Sequence, residues 1–198
     1  MRRLFAKYNG DVILEAFTLE DNIEELLFSS ETIRERVAEV AAQISRDYRD
    51  KNPLVVGVLK GAFIFMSDLV RQIDVPLEVD FIATSSYGQS TKSSGVVRIL
   101  KDLDLSAEQR DVLIVEDIVD SGLTLSYLSD YLTRRGAKSV RICAAFDKPG
   151  GRTVPIRPDY YGFTVPDRFV VGYGLDHAEQ YRHLPYVGVL RRSVYAQG

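Results

Sequence analysis

The fold is decided by residues 112–125, which read Val112-Leu113-Ile114-Val115-Glu116-Asp117-Ile118-Val119-Asp120-Ser121-Gly122-Leu123-Thr124-Leu125. The first four residues are apolar and mostly β-branched, as expected of a strand that is covered on both faces. Ser121, Gly122 and Thr124 have the small polar character of a helix N-terminus, and leucines then recur at helical spacing until a basic pair and a glycine at 134–136. This stretch therefore predicts a buried strand, an acidic turn and a helix.

The turn between this strand and this helix offers two kinds of ligand group. Backbone N–H groups at the helix start, assisted by the hydroxyls of Ser121 and Thr124, suit a phosphate because unpaired amides and the positive end of the helix dipole converge there. The carboxylates of Glu116, Asp117 and Asp120 accept hydrogen bonds, so they suit sugar hydroxyls, a metal ion or a proton to be abstracted. A sugar phosphate would satisfy both kinds of group.

Residues 112–124 also resemble the phosphoribosyl-pyrophosphate (PRPP) motif of type I phosphoribosyltransferases. In that motif four apolar residues and two acids precede a loop of the form D-S/T-G-x-T. The resemblance implies that Glu116 and Asp117 hold the ribose hydroxyls, and that Asp120 is the catalytic residue, which accepts a proton from N7 of a purine. It also implies a loop that binds the 5-phosphate and consists of Asp120, Ser121, Gly122, Leu123 and Thr124.

The composition is that of one globular domain, which we expect to span residues 1–198. Hydrophobic residues make up 45% of the chain and charged residues 27%, and no apolar run approaches membrane-spanning length or forms a signal-peptide core. The net charge of −3 supplies no overall attraction to nucleic acid. Cys143 is the single cysteine and lies in an apolar run, which predicts a core residue and a reducing, cytoplasmic compartment.

Apolar runs on both sides of the motif predict an α/β fold with a mainly parallel sheet flanked by helices. One helix should begin at Ser29 or Ser30 and end near Pro53, and the strand at 140–146 should lie parallel to that at 112–115 because a helix connects them. The resemblance to type I phosphoribosyltransferases adds a small hood formed by the terminal segments. Further strands are predicted at 12–17, 54–59, 77–85, 95–101 and 186–190.

Two further segments resemble the hypoxanthine-guanine phosphoribosyltransferase branch of this family on the pyrophosphate side of its site. Val58-Leu59-Lys60-Gly61 is similar to the pyrophosphate-binding loop, in which the Leu–Lys peptide is often cis, and Arg182 matches a pyrophosphate-binding arginine. Residues 86–94 lack any aliphatic side chain and predict a loop, and Ser86-Tyr87 resembles the lid that closes over the substrates. Without the resemblance, Lys60 is equally well a surface lysine at a turn.

The purine side of the site is carried by residues 147–176. Lys148, in Asp147-Lys148-Pro149-Gly150-Gly151-Arg152, matches the lysine that recognises the base, and Arg152 a supporting arginine. Residues 166–176 fit the family signature Pro-Asp-x-Phe-Val-Val-Gly-Tyr-x-Leu-Asp. By this match Phe169 stacks on the base, Val170 reads its edge through the backbone and Asp176 joins Glu116 and Asp117 in holding Mg²⁺. Without the match, Phe169 reads as a core aromatic and Asp176 as a turn cap.

The resemblance implies transfer of the 5-phosphoribosyl group from PRPP to N9 of a 6-oxopurine, with Mg²⁺ as cofactor. Hypoxanthine and guanine would give IMP and GMP, with release of pyrophosphate, which is a purine-salvage reaction. A homodimer or homotetramer is expected by the same analogy. The sequence leaves open the preference among hypoxanthine, guanine and xanthine, so an enzyme that prefers xanthine is the main alternative.

Other classes of protein lack their sequence features here. A basic face or an added winged-helix domain would favour a nucleotide-sensing regulator on the same fold that binds RNA or DNA. Neither feature is seen in the sequence. A dinucleotide-dependent oxidoreductase needs G-x-G-x-x-G after an early strand, and a P-loop kinase needs G-x-x-x-x-G-K-[ST]; both motifs are absent. His177 and His183 have no metal-ligand partner at a suitable spacing and predict no metal site.

Overall fold

The computed structural model describes residues 5–8, 11–14, 19–86 and 97–196. The four α-helices in this part of the chain are α1 (Ser30–Asp47), α2 (Phe63–Val70), α3 (Leu123–Arg134) and α4 (Arg192–Tyr195). The strands are β1 (Phe5–Tyr8), β2 (Asp11–Leu14), β3 (Ile23–Phe28), β4 (Leu54–Leu59), β5 (Glu78–Ser86), β6 (Val97–Lys101), β7 (Asp111–Val119), β8 (Ser139–Asp147), β9 (Tyr160–Thr164), β10 (Val170–Val171) and β11 (Val187–Leu190).

A six-stranded sheet of order β6-β5-β4-β7-β8-β9 forms the centre of the molecule. All neighbours are parallel except β5 and β6, which pair antiparallel as two consecutive strands can. The central strands β4 and β7 are almost wholly apolar, as their burial on both faces requires. The predicted fold class, a mainly parallel sheet flanked by helices, is confirmed.

Helices cover both faces of this sheet. The buried face of α1 repeats at helical spacing, with Ile33, Val37 and Ile44 in one apolar cluster with residues of α2. On the opposite face, α3 buries its leucines at 125, 128 and 132 against a second cluster. The α1 N-terminus is capped by Ser29, whose hydroxyl accepts a hydrogen bond from the N–H of Thr32. Ser29 is one of the two serines that the sequence offered for this position.

A small antiparallel sheet of order β10-β11-β3 lies apart from the central sheet. It joins a strand from the beginning of the described chain to two from its end, and this is the hood expected of the terminal segments. Within this small sheet, Arg168, just before β10, forms ion pairs with Glu24 and Glu25 of β3 at 2.7 and 2.5 Å. The hood therefore holds the residues near 169 at a defined place beside the sheet.

One boundary differs from the prediction in a way that matters for the site. The sequence placed Glu116 and Asp117 in a turn, but β7 continues through them to Val119, which pairs with Asp147 of β8. The pairing partner extends the strand, because β8 also runs further than its apolar residues alone suggest. Both acids thus sit on the rigid end of a strand.

Candidate active site

Three polar residues follow directly from neighbouring parallel strands. Lys60 comes after β4, Asp120 after β7 and Lys148 after β8, and these strands are adjacent in the sheet. Because the carboxyl ends of parallel strands meet at one edge, ligands of open α/β sheets bind outside that edge. The sheet therefore brings predicted site residues from three separate parts of the chain to one edge.

The predicted phosphate loop joins β7 to the N-terminus of α3. Gly122 precedes the helix with a φ of 82°, a left-handed conformation that residues with a Cβ rarely adopt. A Cβ there would also collide with the Ile156 side chain. The Ser121 hydroxyl accepts a hydrogen bond from the N–H of Leu123 at 3.4 Å, and Leu123 and Thr124 form the first turn of the helix. The loop thus leads directly into the amides of a helix N-terminus.

Arg152 holds this loop through its backbone. Its Nε donates to the carbonyl of Asp120 at 2.9 Å, and its Nη2 donates to the carbonyl of Val119 at 3.1 Å and to the carboxylate of Asp147. A guanidinium suits this role because its N–H groups are fixed in one plane. Arg152 is therefore a support for the loop, as the resemblance implied.

The two acids of the motif lie in a desolvated place. Glu116 Oε2 is buried and has no hydrogen-bond partner among the described residues. Desolvation, together with the charge of Asp117, raises the pKa of Glu116 well above its ordinary value. Desolvation also raises the pKa of Asp117, against the opposing effects of the Ile118 N–H and the Arg182 charge. The Asp117 carboxylate packs so closely on Gly61 that no Cβ would fit there. A hydroxyl donor or a cation would satisfy these oxygens.

Lys148 lies between two carboxylates. Its Nζ is 3.1 Å from Asp167 Oδ1 and 3.5 Å from Asp120 Oδ2. Only 16% of the Lys148 side chain is exposed, whereas 49% of the Asp120 side chain is exposed. The backbone N–H of Lys148 donates to the carbonyl of Val119 at 2.9 Å, which fixes the start of this loop. A shielded hydrogen-bond donor and an accessible acceptor thus stand side by side.

The Lys60 loop and the segment that ends at Arg182 meet through one carboxylate. Glu179 Oε2 is 3.0 Å from Lys60 Nζ and 3.5 Å from Arg182 Nη2. Arg182 Nη2 is also 2.9 Å from Asp176 Oδ1, and the other oxygen of Asp176 accepts a hydrogen bond from the Glu179 N–H. The hydrogen bond from Lys60 lowers the pKa of Glu179. The Leu59–Lys60 peptide bond is cis, as the resemblance implied.

The Phe169 ring lies where the chain enters the hood. It stacks on Tyr195, with ring centroids 5.0 Å apart and planes at 24°, and contacts His177 edge-on at 5.4 Å. The ring remains 37% exposed, so it is no core residue. Val170 follows in β10, is buried and pairs with Val189.

The remaining predicted residues are placed as follows. Ser86 ends β5, its side chain is not described, and Tyr87 lies outside the described residues. Glu116, Asp117 and Asp176 do not form a single metal-binding cluster, and no group of three such ligands occurs in the described part of the chain. A cavity of about 590 Å³ lies between α1, α2 and residues 183–185, and none of the predicted site residues lines it. Within residues 5–8, 11–14, 19–86 and 97–196, no helix has the length and apolar character that crossing a bilayer needs.

Three residues at the site were given no role from the sequence. Asp167 pairs with Lys148, Glu179 bridges Lys60 and Arg182, and Tyr195 covers one face of Phe169. Each is distant in sequence from the group it contacts, except for Glu179 and Arg182. No local pattern could reveal these contacts, since they depend on how the hood and the loop at 172–182 pack.

Comparisons with known proteins agree with this geometry. Residues 25–178 match the family described as phosphoribosyl transferase domain. The chain is 56% identical over 177 residues to the hypoxanthine-guanine phosphoribosyltransferase of Bacillus subtilis (strain 168), which covers 89% of this chain and 98% of that protein. It is 53% identical over 179 residues to the enzyme of the same name from Streptococcus mutans, with 90% and 99% covered. A crystal structure of a hypoxanthine phosphoribosyltransferase from Staphylococcus aureus matches with a TM-score of 0.88 at 44% identity, over 91% of this chain and 98% of that one.

Proposed function

The chain belongs to the phosphoribosyltransferase family, and we propose that its 198 residues act as a single domain with the following chemistry. It is a purine-salvage enzyme that transfers the 5-phosphoribosyl group from PRPP to N9 of hypoxanthine or guanine. The C1–N9 bond forms as the C1–O bond to pyrophosphate breaks, giving IMP or GMP. The sequence resemblance and the identities of 53–56% to enzymes of this name support this reaction.

The observation that carries the proposal is the pair formed by Lys148 and Asp120. Their charged atoms are 3.5 Å apart at the carboxyl ends of adjacent strands. A 6-oxopurine has the O6 acceptor and the N7–H donor as neighbours on one edge, so this pair complements both atoms at once. Lys148 would donate to O6, and Asp120 would accept the proton that leaves N7 when N9 bonds to C1.

The rest of the base is held from the hood. Phe169 would stack on the purine ring, and the backbone of Val170 would read its far edge. Support comes from the half-exposed ring of Phe169, which is kept in place by Tyr195, and from the pairing of β10 with β11. Tyr195 covers one face of the Phe169 ring and so fixes its orientation. The other aromatic face could then stack on the purine in the offset parallel arrangement that aromatic rings prefer.

The sugar phosphate fits the other half of the edge. The 5-phosphate would lie on the loop formed by residues 120–124, where the amides of the α3 N-terminus converge. Glu116 and Asp117 would accept hydrogen bonds from the ribose 2- and 3-hydroxyls. The buried, unpartnered oxygen of Glu116 supports this role, since an unpaired buried acceptor is costly until a donor arrives.

Pyrophosphate leaves toward the cationic side. Departure from C1 gives an oxocarbenium-like centre, so the site must neutralise the leaving group rather than supply a strong nucleophile. Lys60, the Gly61 amide and Arg182 would do this. Lys60 and Arg182 already converge on one carboxylate, which supports their action on a common anion. The lid at Ser86-Tyr87 would exclude water from the reacting centre.

Mg²⁺ is the cofactor in this proposal. The carboxylate donors Glu116, Asp117 and Asp176 suit it, and the orphaned oxygen of Glu116 is an acceptor that a cation could satisfy. Mg²⁺ usually keeps waters and takes one or two carboxylates together with substrate phosphates, which agrees with the lack of a three-ligand cluster among the described residues. When bound, it would neutralise charge on the pyrophosphate oxygens.

Purified protein with PRPP and MgCl₂ tests the function. It should form nucleotide with hypoxanthine and guanine and not with adenine or orotate, and xanthine measures the alternative preference. Formation of nucleotide with none of the five bases would refute the enzymatic function. We also propose a homodimer or homotetramer in the cytoplasm, and light scattering on the purified protein would measure its state of assembly.

A further inference from the structure

One carboxylate joins the two cations to which the proposed function assigns the pyrophosphate. Lys60 follows β4 and Arg182 lies 122 positions later, yet Glu179 Oε2 is 3.0 Å from one and 3.5 Å from the other. In the described part of the chain the buried Arg182 Nε also has no hydrogen-bond partner. Arg182 Nη2 also pairs with Asp176 Oδ1 at 2.9 Å, so Glu179 is the carboxylate that the two cations share. The cations are therefore paired with carboxylates, while one donor among them remains unused.

The Glu179 carboxylate and a bound pyrophosphate are mutually exclusive at this position. Both are anions that would accept from the same Nζ and Nη2 groups, and two like charges about 4 Å apart repel each other by about 1 kcal/mol even in water. Lys60 and Arg182 keep other N–H donors, but those cannot remove the repulsion between two anions on one pair of cations. The carboxylate must therefore leave when the pyrophosphate group enters.

Glu179 can leave without disturbing the fold. Its side chain is 64% exposed, so rotation into solvent costs no packing. Its backbone is held independently, with a φ of 63° beside the φ of 51° at Ala178, and its N–H donates to Asp176 at 2.9 Å. The residue thus keeps its place on the loop whether or not its side chain pairs with the cations.

We infer that Glu179 is an affinity-determining residue of the pyrophosphate site, an internal anion that occupies the site when it is empty and is displaced by pyrophosphate or by the pyrophosphate group of PRPP. This inference rests on the proposed function. Its consequence is weaker binding of both ligands, and easier release of pyrophosphate after transfer. The opposite role is a residue that holds Lys60 and Arg182 in position for the ligand.

The sign of one binding change separates these roles. Glu179→Gln removes the charge and keeps the shape, and calorimetric titration with inorganic pyrophosphate in MgCl₂ measures the result. Displacement predicts a dissociation constant lower by about two- to fivefold, the size expected for exposed ion pairs that no longer need to be broken. The KM for PRPP should fall in the same direction, and inhibition by pyrophosphate should strengthen.

Two further variants make the comparison specific. Glu179→Asn also removes the charge and suits the left-handed backbone, so it should tighten pyrophosphate binding as well. Glu39→Gln is the matched control, because Glu39 is 65% exposed and pairs with Arg36 on α1, away from the site. It should leave pyrophosphate binding unchanged, and binding of IMP, which lacks pyrophosphate, should change little in any of the three.

The outcomes are distinct for the two proposals. Weaker pyrophosphate binding by Glu179→Gln would assign it the organising role and overturn the inference, and unchanged binding would overturn it equally. Both results leave the enzymatic function intact if the wild-type protein makes nucleotide. A wild-type protein that neither binds pyrophosphate nor makes nucleotide would instead refute the proposed function.

Discussion

At the scale of single residues, we propose that the choice of base depends on Lys148. An ammonium has three donors and no acceptor, so it can hydrogen-bond to a carbonyl at carbon 6 but not to the amino group of adenine. Its side chain is 16% exposed, and it is held by Asp167 and Asp120. If Lys148 binds the base, adenine should be rejected, because its amino group would leave a shielded charge beside another hydrogen-bond donor, which costs more than a lost contact in water.

The first prediction concerns this discrimination. Lys148→Gln should lower kcat/KM for hypoxanthine, and it should reduce the ratio of kcat/KM for hypoxanthine to kcat/KM for adenine. This ratio can reach roughly 10⁴ where a pocket is built to hydrogen-bond its ligand. Steady-state kinetics on both bases measure the ratio. Lys138→Gln, at an exposed lysine that pairs with Asp111, is the control and should leave it unchanged. An unaltered ratio in Lys148→Gln would remove Lys148 from the base site.

Glu116 illustrates a residue whose charge opposes folding. Its pKa is raised by burial, so in the folded protein it keeps a proton that the unfolded chain releases near its ordinary value of 4.5. The folded state then binds more protons than the unfolded state above that pH. The free energy of unfolding therefore falls as the pH rises through this range.

Removing the charge of Glu116 should therefore stabilise the folded protein at high pH. Glu116→Gln should raise Tm relative to wild type at pH 8, by roughly 2–4 °C for each kcal/mol gained, and should make little difference at pH 4. Binding of PRPP should weaken, because an NH₂ donor replaces one of the two carboxylate oxygens that could accept hydrogen bonds from the ribose hydroxyls. Calorimetric scans of the ligand-free proteins at the two pH values give the comparison. A Tm for Glu116→Gln that is lower than wild type at pH 8 would show that the acid is stabilising.

At the scale of elements, a glycine adjoins each end of α3, but only the N-terminal end of the helix belongs to the proposed site. Gly122 and Gly136 share a φ of 82°. A Cβ at Gly136 would find its nearest neighbour, Glu108 Cγ, at 3.3 Å, whereas one at Gly122 would collide with Ile156. Only the N-terminal glycine adjoins the loop that we assign to the 5-phosphate. A comparison of alanine substitutions at Gly122 and Gly136 thus separates the stability cost of the left-handed backbone from the effect on PRPP binding.

Alanine at the two glycines should affect stability and PRPP binding differently. Gly122→Ala and Gly136→Ala should each lose about 1–2 kcal/mol of stability from the left-handed backbone, with a further loss at Gly122 from the collision. Only Gly122→Ala should weaken PRPP binding, because Ile156 or the loop must move. Chemical denaturation and PRPP titration of both variants measure the two effects. Equal PRPP affinity in the two would show that the loop does not contact the phosphate.

The sheet is the element that makes a site from these parts. Its order places β4, β7 and β8 side by side, so three loops that are separated by at least 28 positions of sequence end at one edge. The extension of β7 to Val119 carries the acids on a paired strand instead of a turn. A group on a strand is held more rigidly than one on a loop, which favours the positioning that this chemistry requires.

At the scale of the whole molecule, the protein should fold without the Mg²⁺ that we propose as its cofactor. The described residues hold no cluster of three metal ligands, so Mg²⁺ would be bound largely through substrate oxygens and not as part of the core. None of the three proposed metal-binding residues, Glu116, Asp117 and Asp176, belongs to the hydrophobic clusters on the two faces of the sheet. Stability and activity should therefore respond differently when the metal is removed.

Removal of Mg²⁺ should affect activity and not stability. EDTA should abolish nucleotide formation, and added MgCl₂ should restore it, while Tm of the ligand-free protein stays the same. PRPP should raise Tm only when MgCl₂ is present. A ligand that binds the folded state alone increases the free energy of unfolding by about 2.7 kcal/mol at a hundredfold excess over its Kd. A fall in Tm with EDTA alone would reveal a structural metal that this proposal lacks.

Local pattern alone determined much of this protein. The apolar runs and caps predicted α1, α3 and five of the six strands of the central sheet, because periodic burial and helix termini are encoded within a few residues. The sixth strand, β9, was missed because the sequence around it is rich in aromatic residues and glycine and has no regular period. The order of strand, acids and small polar loop indicated the family and the fold class. The assignment of Lys60, Lys148 and Arg182 came from the same kind of short segment, read by resemblance.

The tertiary structure alone decided which of these groups act on one another. The continuation of β7 through Glu116 and Asp117 depends on its pairing with β8. The position of the Phe169 ring depends on stacking with Tyr195. The hydrogen bond from Lys60 to Glu179 joins residues 119 positions apart. Such contacts arise from the packing of distant segments, so no local period or motif reports them. Side-chain charge is likewise set by burial, as for Glu116, and burial exists only once the chain has folded.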